Sequence, residues 1–475
     1  MKQIHKIIIP IIAALMGVAM TACIEDGISS SPSDQPTFST DTLKMGTVFT
    51  SEGTATYSIR VYNPHDKILS MSRVGFKNGG TGMFRLNVDG QSGREFNNVE
   101  IRPNDSIYVF VDACIEVQNS ALPLTVEETI EFETNGKIQE VVITADGQDV
   151  DRLHGHIIDA DTDWSDGMPR QIFDSLVVAE GAKLTIGAGM KLYFHSGAQL
   201  TVHGTLDIKG TPENPVELTG DRFGLVATNV PYEIMSQQWG GVYFGPTSKA
   251  SKMQYAVVKN TEYGVLVDSV APSTTPALEL INCRLRNSGG RVLTTLHSNV
   301  NITGCELAEG AAGVAYFQGG TINMLHCTLS NYYLFSAVSG PLVTLQHCNV
   351  VTDDESGLPY TSATIANSIL WGNGGDMSTS NLDDTGVWVK NCILQSQGED
   401  DEHFTNILWG QDPLFFTDRG RYYFDYRLRE GSPAIGASDP ELDTALPATD
   451  FYGTPRSNPA TLGAFEVQTA PESQE

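Results

Sequence analysis

Six stretches of the chain alternate apolar and other residues and then place a small or polar residue before a cysteine or serine. The spacing from one Cys or Ser to the next is 22, 22, 21, 20 and 24 residues. A repeat of this length without helical periodicity predicts a solenoid of strands. The stretches are 278–285 (LELINCRL), 300–307 (VNITGCEL), 322–329 (INMLHCTL), 343–350 (VTLQHCNV), 363–370 (ATIANSIL) and 387–394 (VWVKNCIL).

The alternation within each stretch predicts a strand with one face turned inward. Shorter apolar runs separated by glycines between residues 176 and 260 continue the pattern upstream. Together these features predict a right-handed parallel β-helix over residues 151–411, with on the order of 11 coils at about 22 residues per coil. The runs around 176–208 and the WGGV at 239–242 also resemble many secreted right-handed β-helix proteins.

The repeated cysteines occupy one position of the coil, so we expect buried, unpaired thiols stacked from coil to coil rather than disulfides or a zinc site. The residue before the thiol is His326 in one copy and His347 in the next, and these two side chains are expected to stack one coil apart. Asparagine holds the same place in three other copies, which predicts a polar ladder: Asn282, Asn367 and Asn391.

Residues 38–150 contain about seven short alternating runs separated by turn residues, which predicts an antiparallel β-sandwich. The strand ending Val61-Tyr62-Asn63-Pro64 resembles that of immunoglobulin-like domains found beside bacterial repeat proteins. Cys114 has no evident partner in this region and is expected to be a buried thiol.

Residues 412–466 lose the cysteine repeat and gain aromatic clusters. Motifs such as GSPAIGA at 431–437, DFYGTPR at 450–456 and LGAFE at 462–466 resemble the choice-of-anchor Q type terminus of bacterial β-helix proteins. The resemblance implies an extracytoplasmic all-β protein whose C-terminal cap covers the apolar end of the β-helix. Residues 467–475 are expected to form a disordered tail.

Lys2, His5 and Lys6 precede an apolar run of about 14 residues, which is too short to span a bilayer and predicts a secretory signal peptide over residues 1–22. The sequence MTAC at 20–23 resembles a lipobox, with Cys23 as the lipidated residue. The sequence of residues 23–37 predicts a flexible tether. The acidic residues just after Cys23 resemble the export signal of surface lipoproteins of the Bacteroidota. The resemblance implies a lipid anchor in the outer membrane, at the cell surface or, alternatively, facing the periplasm.

The net charge of −28 becomes −30 after removal of Lys2 and Lys6 with the signal peptide. A charge of this sign argues against nucleic acid as a partner. No later apolar run reaches the length of a membrane span, so the lipid would be the sole contact with the membrane.

Alternating carboxylates at Asp159, Asp161 and Asp163 resemble a calcium loop, but Trp164 and Arg170 stand where such a loop has Gly and Glu. An acidic linker between domains is the alternative, and no other cofactor is expected. Polysaccharide lyases and glycoside hydrolases also use the β-helix, yet the sequence holds no complete catalytic motif of these enzymes.

Long β-helix faces can bind extended polymers through rows of aromatic side chains. Candidates for such a row are Tyr332, Tyr333, Trp371 and Trp388. The sequence therefore favours a non-catalytic binding or adhesion module, for polysaccharide or host glycan. A lyase or hydrolase with a diverged site is the first alternative, and a structural spacer without a groove is the second.

Overall fold

The computed structural model describes residues 27–227, 230–270, 275–346, 361–377, 386–443 and 445–467. The chain divides into two compact units, Met1–Gln148 and Asp149–Glu475, and strands are the main regular secondary structure of the described residues in both. Cys23, the signal peptide and residues 468–475 lie outside the described part of the chain.

The first unit consists of two five-stranded sheets around a shared apolar core. One sheet has the order β1-β3-β8-β5-β6 and is antiparallel; the other has the order β2-β10-β9-β4-β7 and contains one parallel pair, β2–β10. The immunoglobulin-like topology stays a prediction. The strands are β1 (Thr37–Phe38), β2 (Thr42–Phe49), β3 (Tyr57–Tyr62), β4 (Leu69–Phe76), β5 (Phe84–Val88), β6 (Gln91–Gly93), β7 (Glu95–Ile101), β8 (Ser106–Ala113), β9 (Leu124–Thr134) and β10 (Lys137–Gln148).

Part of the predicted tether belongs to this unit. The Ser29 amide donates to the Ile68 carbonyl at 2.8 Å, and the Gln35 side chain donates to the Thr134 carbonyl at 3.0 Å. The tether is therefore shorter than the range 23–37, because its second half pairs with the sandwich. Cys114 is unpaired, as expected, but half-buried rather than buried.

The second unit is a parallel β-helix with three faces. Face one contains β12 (Thr162–Trp164), β14 (Lys183–Gly187), β17 (Thr205–Lys209), β22 (Ser251–Gln254), β25 (Leu278–Ile281), β28 (Val300–Thr303), β31 (Gly320–Leu325), β34 (Thr361–Ala366), β36 (Gly386–Lys390) and β38 (Phe404–Thr405). Face two contains β11 (Asp151–Ile158), β13 (Arg170–Val178), β15 (Lys191–Phe194), β18 (Val216–Gly220), β23 (Ala256–Lys259), β26 (Arg284–Ser288), β29 (Glu306–Gly310), β32 (Thr328–Asn331), β35 (Ile369–Gly372), β37 (Ile393–Leu394) and β39 (Leu408–Trp409). Face three contains β16 (Gln199–Val202), β21 (Val242–Phe244), β24 (Val265–Asp268), β27 (Leu293–Leu296), β30 (Ala315–Gln318) and β33 (Val343–Gln346), and β13 extends onto it.

A hairpin of β19 (Leu225–Ala227) and β20 (Val230–Pro231) lies outside the three faces. The described helices of both units are short 3-10 turns, at Lys77–Gly79, Tyr232–Ile234, Arg419–Arg421 and Pro440–Leu442. Within the described residues, no helix is long and apolar enough to cross a membrane. The prediction of an all-β chain with a parallel β-helix is confirmed.

The predicted thiol column is present at the corner between faces one and two. Cys283, Cys305, Cys327 and Cys392 are buried and unpaired. Successive coils are linked at this corner, because the Cys283 amide donates to Cys305 Sγ at 3.3 Å and the Cys327 amide donates to Ser368 Oγ at 2.9 Å. Burial raises the pKa of Cys327 and of Cys392 to about 12, so these thiols are protonated and unreactive.

The assignment of residues 343–350 as a copy of the face-one repeat was wrong. Val343–Gln346 forms β33 on face three, where it pairs with β30, whereas β31 on face one pairs directly with β34. Asn367 therefore follows His326 in the polar ladder, 41 residues later and so nearly twice the usual coil length. The predicted ladder position His347 and the predicted thiol Cys348 lie outside the described residues. The misassignment has a simple cause, since strands on faces one and three share the same alternation.

Residues 412–467, here called the C-terminal segment, pack along the side of the β-helix. Their contacts run from Tyr255, whose hydroxyl lies 3.0 Å from Thr449 Oγ1, to Asn391, whose side chain donates to the Ala437 carbonyl at 2.9 Å. The predicted cap thus lies laterally against successive coils. The side chains that hold it come from the turn before the thiol column, where Asn282, His326, Asn367 and Asn391 adopt the left-handed conformation.

Candidate functional site

A groove of about 300 Å³ lies between face two of the β-helix and the C-terminal segment. We call it the basic groove, because four cationic side chains enter it. Its lining comes from strands β23 and β26, from the 3-10 turn at Tyr232–Ile234, from the stretch 422–427 and from Tyr452. The charged residues that line it are Lys259, Arg284, Arg286, Arg427, Glu233 and Asp425.

The β-helix repeat brings three of these cations together. On β26, Leu285 points into the core, so Arg284 and Arg286 on either side of it point outward. Lys259 of β23 is the register partner of Arg286 on the next coil. Parallel strands about 4.8 Å apart therefore place these cations side by side.

Carboxylates hold the cations in place. Arg284 Nε lies 3.2 Å from Glu306 Oε2, and Arg286 Nε lies 3.3 Å from Glu306 Oε1, with Glu306 fully buried beneath them. Lys259 Nζ lies 2.7 Å from Glu233 Oε1 at the exposed edge of the groove. Four cations against the two lining carboxylates and the buried Glu306 leave one positive charge here, in a chain whose net charge is −28.

Aromatic rings line the same groove. The Tyr452 ring centre lies 5.6 Å from the Arg284 guanidinium carbon and 5.0 Å from that of Arg427. Tyr423 is exposed, and its hydroxyl donates to Asp425 Oδ2 at 2.8 Å. These cation–π contacts fix the guanidinium planes and leave aromatic surface at the mouth of the groove.

The groove carboxylates are held as anions. Lys259 lowers the pKa of Glu233, with smaller contributions from Arg286 and Arg284. Burial acts to raise the pKa of Asp425, but hydrogen bonds from Arg427 outweigh it and leave that pKa below its ordinary value. Neither carboxyl group is therefore tuned to act as a general acid near neutral pH.

Glu309 lies next to this region but inside the contact between the β-helix and the C-terminal segment. It is buried, with φ of 64°, and both of its carboxylate oxygens accept from the Tyr332 amide, at 3.3 and 3.2 Å. The Tyr426 hydroxyl also donates to it. Burial raises the pKa of Glu309 to about 7.

The four aromatic residues predicted as a binding row lie in different surroundings. Tyr332 and Trp371 pack against the apolar cluster of the C-terminal segment, and Tyr333 is buried with its hydroxyl 2.6 Å from Ser236 Oγ. Trp388 lies on face one and is 38% exposed. The structure does not bring the four together in one row.

The predicted calcium residues lie at the start of face one, where Asp159 and Asp161 precede β12 and Asp163 is part of it. The Lys183 amide donates to Asp161 Oδ1 at 3.0 Å, and the Ser165 hydroxyl donates to Asp163, while Asp159 is exposed. Across the residues that the structure describes, no group of three or more His, Cys, Asp or Glu side chains is placed to hold a metal ion. Calcium binding by these residues stays a prediction.

Sequence reasoning overlooked the cations of the basic groove, although a signal for them was present. Arg284 and Arg286 flank an apolar residue directly after the thiol of one repeat copy, and Lys259 ends an apolar strand about one coil earlier. In a chain this acidic, cations at outward positions of neighbouring coils would have pointed to one basic patch. The contribution of residues 422–427 could not be inferred, because it depends on the lateral packing of the C-terminal segment.

The chain matches no protein-family model and no curated protein. It resembles part of a crystal structure of a protein of unknown function from Porphyromonas gingivalis W83, at 13% identity over 27% of this chain and 50% of that one, with a TM-score of 0.19. It also resembles part of a family 123 glycoside hydrolase from Clostridium perfringens, at 9% identity over 24% of this chain and 26% of that one, with a TM-score of 0.17. The chain thus spans half or less of the length of these solved structures.

Proposed function

We propose that this chain is a non-catalytic binding protein that takes an acidic saccharide into the basic groove. One observation carries the proposal: four cations and exposed aromatic surface share one groove of a strongly acidic protein. A sugar ring bearing a carboxylate or sulfate offers an anion for the cations and an apolar face for the tyrosines.

Binding fits the groove better than hydrolysis does. A glycoside hydrolase needs a carboxylic acid with a raised pKa beside a second carboxylate. Glu233 and Asp425, the carboxylates that line the groove, have lowered pKa values, and Glu309, whose pKa is raised, is buried and does not line the groove. The pKa of Tyr452 is raised by burial, which keeps its hydroxyl protonated and unsuited to act as a base for a lyase.

We further propose that lipidation at Cys23 displays this binding unit on the outer membrane. Such a location would give the groove access to polysaccharide outside the cell, including host glycan.

The test is calorimetric titration of the chain that begins at Ile24 with uronic-acid, sulfated and neutral oligosaccharides. We expect acidic oligosaccharides to bind, with an affinity that falls as salt rises, because the groove cations are partly exposed to solvent. Lys259→Gln removes one of the four groove cations and should weaken this binding about tenfold, or about 1.4 kcal/mol.

Lys77→Gln is the matched control, because Lys77 also pairs with a glutamate at 2.7 Å, on the surface of the first unit. It should leave the affinity unchanged. Equal binding of acidic and neutral oligosaccharides, or wild-type affinity in Lys259→Gln, would contradict the proposal. New reducing or unsaturated ends after incubation would replace it with catalysis.

A further inference from the structure

A second groove, of about 370 Å³, lies on face one, where the C-terminal segment borders the outward side chains of β25, β28, β31 and β34. Leu442 and Ala445 of the C-terminal segment form an apolar wall on one side. The floor is a line of side chains that are register partners on successive coils and continue past the groove to the next coil. We call this line the axial row; it consists of Glu279, Asn301, Asn323, Thr364 and Trp388.

The axial row has free hydrogen-bonding groups that face outward. Asn323 Nδ2 donates to Asn301 Oδ1 at 3.0 Å. That bond leaves Asn301 Nδ2 and Asn323 Oδ1 without a protein partner among the residues that the structure describes. One amide donor and one amide acceptor on neighbouring coils can bind adjacent hydroxyl groups of one ligand.

The axial row ends in a partly exposed aromatic ring. Trp388 is 38% exposed on β36, one coil beyond Thr364. An exposed indole beside amides and a hydroxyl offers the flat apolar surface against which the C–H face of a sugar ring can pack. The five side chains span four coil intervals, or roughly 19 Å at about 4.8 Å per coil.

The charge of the axial row is balanced. Glu279 Oε2 lies 3.0 Å from Lys252 Nζ, so the acidic end of the row is already paired, and the four remaining members are uncharged. This differs from the basic groove, where cations outnumber carboxylates. The ligand chemistry that matches the axial row is therefore a neutral polyhydroxylated chain.

We infer that the axial row is a binding site for a neutral oligosaccharide that lies along the β-helix axis. The hydroxyl groups bond to Asn301, Asn323 and Thr364, one sugar ring packs on Trp388, and Leu442 with Ala445 covers the apolar edge of the chain. This site is independent of the basic groove in both position and ligand charge.

The test follows Trp fluorescence and calorimetry of the chain that begins at Ile24, titrated with neutral oligosaccharides of increasing length. We expect saturable binding that strengthens with chain length. Trp388→Ala and the double variant Asn301→Ala with Asn323→Ala should each weaken it about tenfold or more. Phe335→Ala is the matched control, because Phe335 is exposed to the same extent, 38%, and lies away from the row.

Lys259→Gln separates the two sites, because it should leave neutral binding unchanged even if acidic binding is lost. Circular dichroism of each variant checks that the fold is retained. No neutral oligosaccharide bound at millimolar concentration, or neutral binding that survives both the Trp388 and the double amide variants, would overturn the inference. Failure of acidic binding would overturn the proposed function alone.

Discussion

The replacement of Glu309 by Gln should stabilise the second unit, and only at neutral and alkaline pH. The carboxyl of Glu309 is buried beneath the C-terminal segment, and its pKa rises from 4.5 to about 7 on folding. A carboxyl group whose pKa is raised by folding favours the native state only while it carries its proton. The cost of its ionisation is therefore absent below about pH 4.5, grows through the interval up to about pH 7, and is complete above it.

The size of the effect follows from the two pKa values. One pKa unit corresponds to about 1.4 kcal/mol, so the interval from 4.5 to about 7 corresponds to about 3 kcal/mol. Gln resembles the protonated acid, and its side-chain oxygen can still accept from the Tyr332 amide and the Tyr426 hydroxyl. For a cooperative unit of this size, about 3 kcal/mol corresponds to about 4 °C in the midpoint of thermal unfolding.

The assay is thermal unfolding followed by circular dichroism from pH 5 to pH 8.5. Wild type and Glu309→Gln should have similar midpoints at pH 5, and the variant should have the higher midpoint at pH 8.5. Glu217→Gln is the control, because Glu217 makes a half-exposed pair with Lys191 at 3.9 Å and has little influence on stability. Parallel pH profiles for wild type and Glu309→Gln would refute the reasoning, since they would mean that Glu309 ionises as easily in the native state as in the unfolded state.

Three further predictions concern the thiols, the ladder and the anchor. The first uses the chain that begins at Ile24 and carries Cys348→Ser, which retains five cysteines. A thiol reagent should label Cys114 alone under native conditions and all five cysteines in guanidinium. Rapid native labelling of a second thiol would contradict the buried column. Asn367→Ala removes buried hydrogen bonds to the C-terminal segment, including one of 2.6 Å to Asp443, and should cost about 3 kcal/mol and speed proteolysis of that segment; unchanged cleavage would contradict its role. Cys23→Ser should abolish incorporation of labelled palmitate and release the protein from the membrane fraction, and retention in that fraction would contradict the lipobox interpretation.

The sequence revealed the architecture where one signal repeated with little interruption. The thiol after each face-one strand could be followed from Cys283 to Cys327 because every coil there has 22 residues. The prediction of the next copy was wrong, because a strand of face three has the same alternation and is also followed by a cysteine, Cys348. Alternation reports which residues point inward, but it does not report which face of the coil a strand joins.

The sites were harder to predict, because each is completed by residues remote in sequence. Arg286 and Lys259 could be placed on one face from the repeat alone, but their neighbour Arg427 comes from the C-terminal segment. Trp388 was identified as a candidate from its residue type, while its companions on the axial row, such as Asn323, were not. The register between strands of successive coils decides which side chains become neighbours on the axial row. The sequence alone did not align β31 with β34, because the coil between them is longer than those on either side of it.

The lateral position of the C-terminal segment has a consequence for how the molecule comes apart. In a simple solenoid each coil touches only the coils next to it, so the ends can fray one coil at a time. Here a single stretch of chain is fastened to coils as far apart as those of Tyr255 and Asn391. To loosen one of these coils, the C-terminal segment must detach from the others as well. This part of the β-helix should therefore melt as one cooperative block, with both grooves lost in the same event.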